Sequence, residues 1–470
     1  MQREFGVIPY DLPPLIMAVW LFIYGAVLGS FLTVCVHRLP QHESIWAAWR
    51  ALGNSPSHCD RCCQRLLMRD NVPIFGWLKL RGRCRFCKRG IPGKYPLIEL
   101  ANGLLFVLVY MLEVPINRFA PFTESCLACS IGPSDLANGL GVSPIAFVNW
   151  RFVYHLVLFE ALFVASLIDW DLMIIPDSVT LPPMLVGVTG AALFGKFWLV
   201  PVWFQDPSIA RRFFMLLPKS WNADWLTART PGWIELHPHW HGLAVSFAGF
   251  VVGGGIVWVV RIVGQFAMRR EAMGFGDVVL MAMVGSFTGW QPVVVAFLIA
   301  PLLALASVVV ARIFQPDREI PYGPYLSLAT IITLLGWRWI WPRVELYFSI
   351  GLGLIVIAAV MTALLIPTLF LLRLIKRMLG IPDYTDDDFL DAGWTSADQL
   401  SHFVGETVDP QQGQWRKETW PGNATGRGQA QLDQWQRPNN NGLRQHWNRR
   451  GKMLVPDWWR SLFSKRSEKK

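Results

Sequence analysis

The amino-acid sequence predicts an all-α polytopic membrane protein with about eight or nine transmembrane helices and a small cytoplasmic loop domain. Of its 470 residues, 53% are hydrophobic and only 16% are charged. Such a composition excludes an ordinary soluble protein of several domains. The second observation is a series of apolar runs near the length of about 20 residues that a helix needs to cross the hydrocarbon layer.

Nine segments of this kind follow one another along the chain, at 14–36, 97–113, 152–168, 178–200, 243–263, 278–297, 295–313, 325–341 and 346–375. The sixth and seventh nearly fuse, and Arg338 interrupts the eighth. The first is longer than the apolar part of a signal peptide and lacks a small-residue cleavage site, so we expect it to be retained as a helix.

Basic residues predict the orientation of these helices, because Lys and Arg accumulate in cytoplasmic loops. The loop between Arg38 and Pro96 contains twelve of them against three acidic residues, whereas 114–150 and 201–242 are nearly balanced. We therefore expect the N-terminus outside the membrane, and the 38–96 loop and the C-terminal tail in the cytoplasm. The formal net charge of +10 then fits loops beside anionic lipid, and no nucleic-acid partner is expected.

Two aspartates lie at the same face of the predicted bundle. Asp169 follows the third apolar run, and Asp277 follows a Gly-Phe-Gly turn and precedes the sixth. Between them the chain crosses the membrane twice, once outward and once returning. Both carboxylates, the cysteine-bearing 38–96 loop and the C-terminal tail are therefore expected at the cytoplasmic face.

A close pair of carboxylates at a partly dry interface holds one proton between its members, because repulsion and desolvation oppose double ionisation. In this state one carboxylate activates water and the other donates a proton to a peptide carbonyl. Gly274, Phe275 and Gly276 are the predicted active-site loop, in which the glycines allow a backbone turn and close approach of a substrate. A proton relay in a transporter and solvated helix-end carboxylates are the alternatives at this point.

Two further aspartates compete for the role of partner to Asp277. Asp177 follows Pro176 ahead of the fourth span, which is typical of a helix start where a carboxylate satisfies free backbone amides. Asp171 is expected to be solvated. Asp169, directly at the end of an apolar run, is the candidate that we favour.

Four cysteines in the first cytoplasmic loop form two CxxC pairs, Cys59 with Cys62 and Cys84 with Cys87, separated by twenty-one residues. This arrangement is typical of four thiolates around one tetrahedral zinc ion, although the interval is just beyond the usual range. Two thiol pairs without a metal are the alternative, and a reducing compartment disfavours disulfides. The zinc ion would be structural, organising a loop too short to have its own apolar core.

Other potential metal ligands have simpler interpretations. Cys63 adjoins Cys62 and is expected to be a spare thiol, while Cys126 and Cys129 favour a local disulfide or no bond over a metal. Three alternating histidines lie in a Trp-rich loop before the fifth span, which is more typical of an interfacial belt than of a metal site: His237, His239 and His241.

Several stretches, taken in order, resemble type IV prepilin peptidases: 29-GSFLTVCVHRLP-40, 71-NVP-73, 82-GRCRFC-87, 95-YPLIEL-100, 169-DWDLMIIPD-177, 274-GFGD-277 and 320-IPYGPYL-326. The likeness covers roughly residues 15–335. Two mild departures are Thr33, where Asn is common, and Tyr322, which replaces a usual Phe.

This resemblance implies an aspartic endopeptidase of the bacterial inner membrane that removes the leader peptide from type IV prepilins or type II secretion pseudopilins at the cytoplasmic face. It implies Asp169 and Asp277 as the catalytic pair and the four cysteines of the loop as metal ligands. Many members also N-methylate the new N-terminal residue with S-adenosylmethionine, and that activity follows from the likeness alone. A proton-coupled transporter that uses the aspartates as a relay, and a membrane scaffold, remain the alternatives from other classes.

The chain is predicted to divide into five parts: an N-terminal segment with the first helix (1–37), the zinc loop domain (38–96), the aspartyl peptidase core (97–341), an extra transmembrane helix (342–379) and a cytoplasmic tail (380–470). The tail has eight acidic and no basic residues over 380–409, then thirteen basic and four acidic residues over 410–470. Its polar composition predicts disorder.

Overall fold

The computed structural model describes residues 14–42, 44–54, 57–59, 62, 64–113, 144–215, 233–268, 273–314, 321–351, 353–378, 406–408 and 415–417. In that part the protein is helical apart from one pair of short strands and two isolated bridges. Six of the described helices are long and apolar enough to span a membrane, or seven if a bent pair near residue 350 counts as one span. The predicted fold class is confirmed, while the exact number of crossings stays a prediction.

The N-terminal part is built on two helices, α1 (Pro14–Arg38) and α4 (Lys94–Glu113), which pack along each other. A Cβ atom on Gly29 would lie 2.9 Å from the Cα of Glu99, so the backbones approach closely. The buried amide of Asn102 donates to the carbonyl of Gly25 at 2.9 Å. Small residues and interhelical hydrogen bonds of this kind hold helices together in lipid.

Two short helices lie between α1 and α4, namely α2 (Ile45–Asn54) and α3 (Phe75–Lys79). The hydrophobicity windows did not predict α2, because it is amphipathic and too short to cross the membrane. Its C-terminal carbonyls, at Ala51 and Leu52, accept hydrogen bonds from Arg38 at 3.1 and 3.2 Å. A cation at this end of a helix is also favoured by the helix dipole.

The remaining helices form the larger part of the bundle: α5 (Pro144–Leu172), α6 (Asp177–Phe194), α7 (Pro207–Phe214), α8 (Trp233–Leu236), α9 (Pro238–Met268), α10 (Phe275–Thr288), α11 (Trp290–Phe314), α12 (Gly323–Leu335), α13 (Trp337–Phe348) and α14 (Gly353–Met378). At its centre lies α10, whose residues are almost all buried. The helices α5, α6, α9, α11 and α12 pack around it.

The tightest of these contacts joins α9 to α10. Gly249 and Gly285 face each other so closely that a Cβ atom on either one would overlap the carbonyl of the other. Glycines at such a crossing let two helices approach to backbone contact. This contact fixes α10, and with it the residues at its start, against a long neighbour.

Two predicted span boundaries were wrong. The runs 278–297 and 295–313 are divided at Gly289, which has a φ of 85° and donates its N–H to the carbonyl of Gly285, a glycine-terminated helix end. The run 325–341 is divided at Gly336, between α12 and α13. With 14 and 13 residues, α10 and α12 are about 20 Å long, shorter than the roughly 30 Å of hydrocarbon.

The tail contains two described strands, β1 (Glu406–Val408) and β2 (Trp415–Lys417), which pair antiparallel with Glu406 opposite Lys417. The remainder of the predicted disordered tail lies outside the described residues. So do Cys63, Cys126 and Cys129.

Candidate active site

The structure brings Asp169 and Asp277 together from different helices. Asp169 lies in the last turn of α5 and Asp277 in the first turn of α10, and these two helices are in contact. The two residues are only 6% and 8% exposed, and their carboxylates are close enough for their charges to interact. The sequence predicts two membrane crossings between the two aspartates, which would bring the chain back to the same face of the bundle. Their proximity in the structure agrees with that prediction.

The start of α12 completes this arrangement. The N–H of Gly323 donates to Oδ2 of Asp169 at 3.0 Å, and the free amides and dipole of a helix N-terminus favour a carboxylate at this position. A Cβ atom on residue 323 would lie 2.6 Å from the same oxygen. Only glycine fits there without moving the aspartate.

Tyr322, the residue before Gly323, is near enough to Asp277 for the two side chains to interact electrostatically. The Tyr322–Gly323 dipeptide is therefore hydrogen-bonded to Asp169 and electrostatically coupled to Asp277. The motif that contains it was recognised in the sequence, but no role was assigned to it. Hydrophobic periodicity gives no signal for a contact between residues 154 positions apart.

The predicted role of the glycines in the active-site loop needs correction. Gly274 precedes α10 with φ −68° and ψ 151°, and neither Gly274 nor Gly276 has a positive φ, so other residues could adopt these conformations. Gly276 is required by packing, since its Cβ atom would lie 2.9 Å from the Cβ of Ile175. At Gly274 a Cβ atom would make only an ordinary contact, 3.8 Å from Oδ2 of Asp277.

Phe275 is exposed at the beginning of α10. The guanidinium carbon of Arg261, on α9, lies 5.6 Å from the centre of its ring. A cation over an aromatic face is attracted by the ring quadrupole, so this contact holds the loop from its outer side.

The other two aspartates differ from the pair. Asp171 is about half exposed and forms a salt bridge with Lys94 at 3.2 Å, consistent with the predicted solvated position. Asp177 is the exposed first residue of α6, but Pro176 is the N-cap and no side-chain capping bond is formed. The predicted capping by Asp177 was therefore wrong, although a helix start is a favourable place for its charge.

The four predicted cysteine ligands form a compact cluster. Their sulfur atoms all lie within 4.8 Å of one another, and Sγ of Cys59 is 3.9 Å from Sγ of Cys87. Four sulfurs at about 2.3 Å from a tetrahedral zinc ion are about 3.8 Å apart. The cluster could therefore hold one zinc ion.

Two backbone hairpins present these thiols. The N–H of Cys59 donates to Gln64 at 2.9 Å, and that of Cys84 donates to Arg89 at 2.8 Å. Burial opposes ionisation of the Cys84 thiol, but hydrogen bonds from the backbone of Cys87 and Phe86, together with those from the Cys59 and Cys87 thiols, outweigh it and lower the pKa of Cys84 to about 7. A thiol that ionises near neutrality is suited to metal binding, which requires the thiolate.

A salt bridge within the loop supports the second cysteine pair. Nε of Arg85 donates to Oδ2 of Asp70 at 2.6 Å, and Nη2 donates to Oδ1. This hydrogen-bonded guanidinium lowers the pKa of Asp70. The loop is joined to α4 by the N–H of Ile74, which donates to Glu99 at 2.7 Å.

The three histidines do not converge. His241 is buried and its Nε2 accepts a hydrogen bond from the N–H of Val202 at 3.1 Å. His239 donates through Nδ1 to the carbonyl of Ala192 at 2.9 Å, and His237 is exposed. Among the residues that the structure describes, the cysteine cluster is the one group that could hold a metal ion.

Comparison with known proteins gives two family matches. Residues 23–112 match the bacterial peptidase A24 N-terminal domain, and residues 225–309 match the type IV leader peptidase family. The chain therefore contains a segment similar to the bacterial peptidase A24 N-terminal domain and a segment similar to the type IV leader peptidase family. The first match contains all four cysteines and the second contains Asp277, whereas Asp169 lies between them.

Curated relatives extend the family likeness over most of their own length. A prepilin leader peptidase/N-methyltransferase of Aeromonas salmonicida is 27% identical over 337 residues, which are 67% of this chain and 89% of that protein. A protein of the same name from Pseudomonas aeruginosa is 28% identical over 341 residues, 68% of this chain and 91% of that protein. No solved structure matches the chain. The predicted resemblance to type IV prepilin peptidases is confirmed, and the apolar helices together with these relatives indicate a multi-pass inner-membrane protein.

Proposed function

We propose that this protein is a membrane aspartic endopeptidase that removes the leader peptide from type IV prepilins or type II secretion pseudopilins and N-methylates the new N-terminal residue. The observation that carries the proposal is the meeting of two buried carboxylates, Asp169 and Asp277, at the ends of two packed helices. The names of the relatives, prepilin leader peptidase/N-methyltransferase, supply the substrate class.

In the proposed reaction the two aspartates share one proton. The ionised carboxylate takes a proton from a water molecule as its oxygen attacks the scissile carbonyl, and the protonated one donates to the developing oxyanion. When the tetrahedral intermediate collapses, the carbon–nitrogen bond breaks and the amine leaves with a proton from the carboxyl pair. The products are the free leader peptide and the mature protein, which has a new amino terminus.

We assign Asp169 as the ionised member of the pair, although Asp277 also has a backbone hydrogen bond, from Gly274. Gly323 donates its N–H to Asp169, and donors aimed at a carboxylate stabilise its charged form. Asp277 then holds the shared proton and faces the substrate carbonyl. This division of roles assigns the general base to α5 and the general acid to α10.

The proposed topology places both aspartates and the cysteine loop at the cytoplasmic face, with the N-terminus outside. The excess of Lys and Arg in the 38–96 loop supports this orientation. A single-span precursor with a basic leader would then present its cleavage site at the membrane surface beside the pair.

We assign the structural zinc ion to Cys59, Cys62, Cys84 and Cys87, whose sulfur separations fit a tetrahedral site. The ion would fix the two hairpins relative to each other and would take no part in hydrolysis. S-adenosylmethionine would supply the methyl group for the second reaction, which the relatives' names support. The described residues identify no binding site for it, so no step of methyl transfer is assigned to a side chain.

The test of the peptidase is substitution of each aspartate in the purified full-length protein, assayed on a purified prepilin. Asp169→Asn and Asp277→Asn should each abolish leader removal while leaving the amount of folded protein unchanged. Asp171→Asn is the matched control and should cleave within about twofold of wild type, because its exposed salt bridge contributes little. Full cleavage by either of the first two variants would remove that residue from the mechanism.

The methyltransferase half has its own measurement. Mass spectrometry of the mature product should find its first residue N-methylated when S-adenosylmethionine is supplied. An unmodified amine after complete cleavage would restrict the protein to proteolysis.

A further inference from the structure

Ile175 lies in the segment between α5 and α6, beside two glycines that adjoin the aspartates. Just before it, Met173 adopts a φ of 57° and donates its N–H to the carbonyl of Asp169 at 2.8 Å. A left-handed conformation is uncommon for a residue with a side chain and persists only where the surrounding structure holds it. It ends α5 and turns the chain back, so that Ile175 packs at the aspartate end of the bundle.

Two glycines from other helices pack against this side chain. A Cβ atom on Gly276 would lie 2.9 Å from Cβ of Ile175, and one on Gly323 would lie 3.1 Å from its Cδ1. Gly276 directly precedes Asp277, and Gly323 donates to Asp169. The isoleucine therefore fills the gap between the two segments that hold the carboxylates.

We propose that Ile175 is a positioning residue that sets the separation of the two aspartates by acting as a spacer between Gly276 and Gly323. This proposal rests on the proposed function and deepens it. Because Gly276 and Gly323 have no side chains, the side chain of Ile175 fills the space between these two positions. A β-branched side chain has few rotamers, which suits a spacer of fixed width.

Shortening the spacer should loosen the geometry of the pair. In Ile175→Ala the Cδ1 atom on the Gly323 side is lost while Cβ remains against Gly276. The start of α12 can then move towards residue 175, and the carboxylates shift relative to a shared water molecule. A misplacement of about 1 Å costs roughly 100-fold in rate. Substrate binding depends on a larger surface and should change little.

The experiment measures kcat and KM for leader removal from a purified prepilin, with Ile174→Ala as the matched control. Ile174 is the same residue type and is also partly buried, and none of the three atoms nearest to either glycine's Cβ position belongs to it. We expect kcat of Ile175→Ala to fall on the order of 10- to 100-fold with KM within about twofold, and kcat of Ile174→Ala to fall less than about threefold. Equal losses in both variants would overturn the proposal.

A reciprocal pair of substitutions tests the spacer from the glycine side. Gly276→Ala should be nearly inactive, because its methyl group meets Cβ of Ile175, whereas the double variant Ile175→Gly/Gly276→Ala should be at least about tenfold more active than Gly276→Ala alone. A double variant no better than Gly276→Ala would contradict the proposal. If Gly276→Ala were inactive only because it failed to fold, a second substitution at Ile175 would not be expected to restore its activity.

The aspartate variants separate this proposal from the proposed function. Full cleavage by Asp169→Asn or Asp277→Asn would refute the catalytic pair whatever Ile175 does. If those variants are inactive while Ile175→Ala retains wild-type kcat, the peptidase assignment stands and the spacer is refuted.

Discussion

The contact between Gly323 and Asp169 makes a quantitative prediction for the substitution Gly323→Ala. The added Cβ atom would lie 2.6 Å from Oδ2 of Asp169 and 3.2 Å from its Cγ. To reach an ordinary contact of 3.4 Å the oxygen must retreat by about 0.8 Å. The same movement stretches the hydrogen bond from the N–H of Gly323, which is 3.0 Å long.

This displacement is large on the scale of catalysis. A catalytic group misplaced by about 1 Å costs roughly 100-fold in rate, which corresponds to about 2.7 kcal/mol of activation free energy. The helix itself should not suffer, because Ala has a higher helix propensity than Gly. We therefore expect kcat to fall about 100-fold with little change in the amount of folded protein.

The assay follows leader removal under single-turnover conditions, with thermal unfolding of the same preparations in detergent. The control is Gly255→Ala, since a Cβ atom at Gly255 meets no atom within 4 Å, and this variant should match wild type in both measurements. Wild-type kcat in Gly323→Ala would show that Asp169 does not need the position held by this amide. The role assigned to Asp169 would then lose its structural basis.

Three further predictions concern the cysteine site and the packing of the bundle. Cys84→Ser should reduce bound zinc from one ion per chain to none, measured by elemental analysis, because the thiol is buried within the cluster; retention of the ion would refute the four-thiolate site. Asp70→Asn should speed zinc release to a chelator about tenfold, because Arg85 loses its charged partner, and an unchanged rate would show that this salt bridge does not support the site. Gly249→Ala should destabilise the bundle by about 1–3 kcal/mol, seen as a lower unfolding temperature than that of the Gly255→Ala control, because the new methyl group overlaps Gly285.

Much of this arrangement follows from patterns local in the chain. Apolar runs of membrane length predicted the long helices, and the pairs at Cys59 and Cys84 predicted a four-sulfur cluster from spacing alone. Counting crossings between Asp169 and Asp277 predicted their common face. The apolar runs and the cysteine spacing are each visible within one stretch of sequence. The common face of the aspartates requires only the number of membrane crossings between them.

The contacts that position the pair could not be predicted in this way. The N–H of Gly323 reaches Asp169 across 154 residues, and Ile175 meets Gly276 across about a hundred. In both contacts the residue that permits the close approach is a glycine. A glycine in the sequence is equally typical of a turn, so it does not indicate which distant residue it contacts. Helix ends at Gly289 and Gly336 were also missed, because hydropathy averaged over a window does not detect a single residue that ends a helix.

The end of α10 opposite Asp277 is closed by a buried segment of the chain. Phe197, Leu199 and Val200 are no more than 1% exposed, and Gln291 at the start of α11 donates to the carbonyl of Pro201 at 2.8 Å. Irregular backbone is tolerated at membrane depth only where protein surrounds it or where it lines a water-filled cavity. Because this segment is packed, it seals that end of the short helix.

This closure bears on the choice between a peptidase and a proton-coupled transporter. A relay must exchange protons with both sides of the membrane, so its acidic residues need access from each face. A hydrolase needs water and substrate from one face only. Within the described residues, Asp277 lies in the first turn of α10, and Met281, Met283 and Phe287 occupy the buried length beyond it. An aspartate pair at one end of an apolar, sealed helix therefore favours hydrolysis at a single membrane surface.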